Sequence, residues 1–84
     1  MAKKIVVLGA GRSAGYLIQR LARAAADSDW RLTIGDMSLE AARNALADAG
    51  PASIRRVDAT SEPELTSIIE GADVVVTMLS PRFQ

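Results

Sequence analysis

Cysteine and histidine are both absent from these 84 residues. Their absence excludes disulfides, thiol nucleophiles, zinc sites built from the usual ligands and any Ser-His-Asp triad. It also fits a reducing compartment. Net charge is missing too, since ten Lys and Arg balance ten Asp and Glu. That removes the simplest electrostatic case for a nucleic-acid partner. No apolar run approaches the ~18 residues of a membrane span, so no nucleic acid, membrane or metal is expected at this protein. The opening Met1-Ala2-Lys3-Lys4, followed by Ile5-Val6-Val7-Leu8, superficially resembles a secretion signal. The run is too short for that role, and Gly9-Ala10-Gly11-Arg12 follows at once. It reads as a buried first strand, and a cytoplasmic location is expected.

What remains is the composition of one small globular domain, 49% hydrophobic and 24% charged. Two periodicities alternate along it. Lys4 to Leu8 is a continuous apolar run, as in a strand buried on both faces. From about Arg12 to Ala26 the period is helical, with Ala14, Leu17, Ile18, Leu21 and Ala25 on one side. Asp27-Ser28-Asp29 breaks that helix, and Trp30 to Gly35 reads as a second strand that Trp30 anchors. Ser38 can cap a second helix with the apolar stripe Leu39, Ala42, Leu46 and Ala49, and Gly50-Pro51 stops it. Ser53 to Val57 is a weaker third strand. Thr60 or Ser61 can cap a third helix, with Ser61 and Glu64 at capping-box spacing. Leu65, Ile68 and Ile69 form its apolar face, and Gly71 ends it. Val74 to Leu79 is the fourth strand, stopped by Ser80-Pro81.

The order β-α-β-α-β-α-β predicts an α/β fold with a parallel four-stranded sheet and right-handed crossovers. The strand order is expected to be 3-2-1-4, half of a doubly wound sheet. The first two helices then share one face and the third lies on the other.

Gly9-Ala10-Gly11-Arg12-Ser13-Ala14 carries the clearest chemistry. It follows a buried strand and opens a helix. Gly9 permits the tight turn, Gly11 lets backbone approach a pyrophosphate, and the small Ala14 allows close helix–strand packing. Gly15 offers an overlapping longer spacing. The helix N-terminus presents free N–H groups to phosphate, and Ser13 lies within this turn. Arg12 either reaches a phosphate or is simply solvated. Asp36 ends the second strand about 20 residues beyond the turn, where a carboxylate accepts the adenosine ribose hydroxyls. It would repel a 2′-phosphate, which favours NAD over NADP. Asp58, ending the third strand, either borders the adenine or is a turn carboxylate. Leu79 and Ser80, ending the fourth, either border the nicotinamide ribose or stop the strand. Ser38 reads as a structural cap and Tyr16 as packing.

Four stretches together resemble the N-terminal cofactor domain of the saccharopine dehydrogenase family: Lys3 to Gly15, Leu32 to Ala42, Val57 to Leu65 and Gly71 to Pro81. The resemblance implies an NAD(P)-dependent oxidoreductase acting on an amino-acid-derived imine or its secondary amine. It also implies that Gly9 to Ala14 hold the pyrophosphate and that Asp36 meets the ribose. Met37 stands where family members often carry an Arg suited to NADP, so NAD is the expected cofactor.

In such an enzyme the substrate domain and the catalytic residues lie beyond residue 84, and residues 1–84 alone are not expected to turn over substrate. Two other readings share the glycine turn: a stand-alone nucleotide-sensing module without catalysis, and a binder of flavin or another dinucleotide. The apolar edge Val74 to Leu79, with unpaired backbone groups, also predicts a homo-oligomer joined through the fourth strand.

Overall fold

A computed structural model describes residues 3–9, 15–58 and 60–77. The elements are β1 (Lys3–Leu8), α1 (Gly15–Ser28), β2 (Trp30–Asp36), α2 (Leu39–Leu46), β3 (Ser53–Arg56), α3 (Glu62–Ile69) and β4 (Val74–Thr77). The four strands form one parallel sheet in the order β3-β2-β1-β4. The chain belongs to the α/β class, as the alternation of periods predicts.

β1 is central because it is apolar on both faces. Ile5 and Val7 pack with Leu32 and Ile34 of β2 beneath α1 and α2, which contribute Ile18, Ala22, Ala25, Ala42, Ala45 and Leu46. Val6 and Leu8 point the other way, to Val57 and Ile68 of the α3 side. The two crossovers β1-α1-β2 and β2-α2-β3 run in one direction across the sheet, and the return to β4 reverses it, so among the described helices only α3 lies on the second face. Alternation along each strand does the rest: Ile54 and Val76 pack toward the α1/α2 core.

Several local expectations are corrected. Tyr16 is 73% exposed and packs against no core. Arg20 Nη1 donates to its hydroxyl at 3.0 Å, and the guanidinium lies 5.7 Å from the ring centroid. Leu39, expected on the apolar stripe of α2, faces outward, and Ala45 takes its place in the buried set. Ser61 is the N-cap of α3 but makes no side-chain capping bond. Glu64 reaches back past it, and its Oε1 accepts the Asp58 N–H at 3.3 Å. Ser38 does cap α2, its Oγ accepting the Ala41 N–H at 3.1 Å. Trp30 is half-buried against the main core, at the start of β2.

β4 is an edge strand. Val74 and Val75 are 47% and 42% exposed. Its approach is fixed by two bonds to β1, in which Asp73 N donates to the Lys4 carbonyl and Lys4 N donates to the Asp73 carboxylate, each at 2.8 Å.

Candidate functional site

The chain leaves β1 for α1 on one face, and returns from α3 on the other to β4 beside β1. The carboxyl ends of β1 and β4 therefore flank the point where the winding changes direction, the usual position of a ligand crevice in an open α/β sheet.

Gly9 stands at that point. It is buried, and its φ of 95° lies where a side chain costs about 1–2 kcal/mol. Its N–H donates to the Gly35 carbonyl at 2.8 Å, which continues the β1–β2 ladder one residue past the strand before the chain turns. The first glycine of the motif thus has the conformation that the tight turn requires. Gly11, Arg12, Ser13 and Ala14 lie outside the described residues. α1 follows from Gly15, and no acidic side chain stands in its first turn. A Cβ at Gly15 would have room, its nearest neighbour being 4.0 Å away, so packing does not require glycine there.

Asp36 ends β2 one residue beyond the Leu8–Gly35 pair. It is half-buried, and its Oδ1 accepts the Ser38 N–H at 3.1 Å, an Asx turn that leads into α2. Its carbonyl accepts the Val57 N–H at 2.9 Å. Asp58 follows β3 and organises the turn before α3. Its Oδ1 accepts Thr60 Oγ1 at 2.6 Å and the Thr60 N–H at 2.9 Å. These two bonds hold the Asp58 carboxyl below its ordinary 3.8, aided by the charge of Arg56 and opposed by partial burial. The turn-carboxylate role open to Asp58 is therefore occupied. Leu79 and Ser80 lie outside the described residues. β4 runs beside β1 as far as the Leu8–Thr77 pair.

Gly9, Asp36 and Asp58 thus stand at the carboxyl ends of the neighbouring strands β1, β2 and β3, which run roughly 4.8 Å apart. The sequence reading did not single out two further residues here. Gly35 sits where an added Cβ would lie 2.6 Å from Ile68 Cδ1 and 2.8 Å from Val57 Cγ1, so α3 approaches β2 directly over it. Glycine inside a strand pattern was the available clue. Arg56 pairs in register with Asp36 across the β2–β3 ladder, and nothing in local sequence pointed to that.

A parallel sheet of order 3-2-1-4, with a positive-φ glycine at the switch point and an acid ending the neighbouring strand, defines a Rossmann-type dinucleotide-binding fold. Residues 5–84 match the saccharopine dehydrogenase NADP binding domain, and the chain belongs to that family. A nicotinamide dinucleotide is accordingly the cofactor class of this domain. A saccharopine dehydrogenase (L-Glu forming) from Saccharomyces cerevisiae, solved in its apo form, is similar in structure, with a TM-score of 0.80 at 26% identity. The match covers 98% of this chain and 18% of that one, so the chain spans under a fifth of the length of that enzyme. No curated protein matches the chain. The family description names NADP, which gives no support to the preference for NAD expected from Asp36 and Met37. No helix among the described residues is long and apolar enough to cross a membrane.

Proposed function

We propose that residues 1–84 form the cofactor-binding segment of a dehydrogenase of the saccharopine dehydrogenase type, whose substrate domain lies outside them. The reaction of the whole protein is hydride transfer to or from an amino-acid-derived imine or secondary amine. The single observation that carries this reading is the turn after β1, where Gly9 holds φ 95° at the switch point of a sheet whose next strand ends in Asp36. When bound, the nicotinamide supplies the redox chemistry, and this segment supplies position and charge complementarity.

In this reading Gly9 and Gly11 let the backbone approach the pyrophosphate. Ser13 and the start of α1 offer N–H groups to it, Arg12 adds charge, and Ala14 keeps helix and strand close. Asp36 receives the ribose hydroxyls and favours NAD over NADP. Asp58 borders the adenine from its turn, and Leu79 and Ser80 border the nicotinamide ribose.

Isothermal titration of the full chain with NAD, NADP and FAD tests the reading. Nicotinamide dinucleotides should bind and FAD should not. Gly11→Val should abolish binding while the helical circular dichroism persists. Normal NAD binding by Gly11→Val would remove the turn from the site.

A further inference from the structure

The carboxyl end of the sheet joins two acids and a cation. Arg56 is the register partner of Asp36 on the neighbouring strand, so the two residues share a face of the sheet. That face is the α1/α2 side, because Ile34 and Ile54, two residues earlier on β2 and β3, both pack into the core beneath those helices. It is also the side to which the glycine turn delivers α1. Arg55, one residue earlier, alternates to the opposite face with Gly35. Arg56 is exposed, and its charge is felt at Asp58, two residues on. Arg56 therefore leaves the sheet on the same face as Asp36 and close to Asp58, and its long side chain can reach a ligand that Asp36 binds.

An aspartate alone at this position would reject a phosphorylated ribose by charge repulsion. A guanidinium beside it supplies the planar donor fork that phosphate oxygens accept in pairs. We propose that Arg56 is a specificity-determining residue of the cofactor site, meeting the 2′ position of the adenosine ribose, offsetting Asp36 and admitting a 2′-phosphate. This rests on the dinucleotide reading above and reconciles an acidic strand end with an NADP-binding family.

The test is calorimetric, on the full chain, and needs no turnover. NAD and NADP are titrated alongside 5′-AMP and 2′,5′-ADP, which lack the nicotinamide half. Arg56→Gln should weaken NADP and 2′,5′-ADP by about tenfold, the loss expected for one charge-assisted contact. NAD and 5′-AMP should stay within about twofold. Arg56→Lys should fall between, and the salt dependence of NADP binding should flatten in Arg56→Gln. Asp36→Asn should move the ratio the other way, toward NADP. Equal weakening of NAD and NADP by Arg56→Gln would overturn the proposal, by showing that Arg56 only positions Asp36 or the strand. An unchanged NADP affinity, or an unmodified chain that binds NAD and takes no NADP, would overturn it as well. In these outcomes NAD binding survives and the dinucleotide reading stands. A chain that binds neither NAD nor 5′-AMP would sink both.

Discussion

Gly35→Ala tests how α3 is seated on the sheet. The backbone at Gly35 accepts an L side chain, so the cost comes from contact alone. The new Cβ would lie 2.6 Å from Ile68 Cδ1, 2.8 Å from Val57 Cγ1 and 3.3 Å from Leu8 Cδ2. The first two must retreat by roughly 0.6–0.8 Å to reach ordinary contact distance. Ile68 can swing its terminal methyl. Val57 cannot, because it is β-branched and 3% exposed. Overpacking of this kind costs about 1–3 kcal/mol, and the stiffer unfolded chain returns about 0.4–1 kcal/mol. The net expectation is a loss of about 1–2 kcal/mol, with the urea midpoint lowered at constant slope. Ile68→Val and Val57→Ala each remove one opposing methyl, so Gly35→Ala should cost about 1 kcal/mol less in either background. Gly35→Ala with the stability of the unmodified chain, or a cost identical in all three backgrounds within about 0.5 kcal/mol, would refute the close approach. The same shift should be felt at the glycine turn, because the Gly35 carbonyl holds the Gly9 N–H.

Ala47 closes α2 at φ 52° and ψ −125°, a conformation suited to glycine. Ala47→Gly should therefore stabilise the protein by about 1 kcal/mol, read as a rise in melting temperature. Asp58 titrates below its ordinary 3.8 in the folded state, so the unfolded chain binds the proton more tightly. Its stabilisation is complete above that ordinary value and is lost as pH falls through the folded one. In Thr60→Ala the carboxyl resonance of Asp58 should titrate closer to 3.8 by NMR, and acid unfolding should be less steep; an unmoved midpoint would exclude the hydroxyl as the main cause. Sedimentation of the 84-residue chain should show self-association through β4, weakened by Val75→Lys on the α3 face of that edge; a monomer at ~100 μM would refute it.

The alternation of a short apolar period with a helical one was enough to place seven elements. The order 3-2-1-4 came from the likeness to half of a doubly wound sheet, and with that order given the handedness of crossovers put α3 on the face opposite α1 and α2. The elements and the faces of the helices are matters of local periodicity and chain chirality, which a sequence carries residue by residue. The first glycine was legible for a similar reason, since φ 95° is a demand on one residue. Asp36 was legible as the last residue of the second strand. Side-chain partners were not. Ser61 and Glu64 have capping-box spacing, yet Glu64 bonds to the Asp58 backbone, because the Asp58–Thr60 turn brings that N–H within reach. Tyr16 looks like core material, but its position on α1 leaves it 73% exposed. Gly35 and Arg56 acquired their roles only when β2 was laid between β1 and β3 and α3 came down on the opposite face. Which side chains stand across a ladder, and which backbone lies under a helix, depends on strands distant in sequence, and only the assembled sheet brings them together.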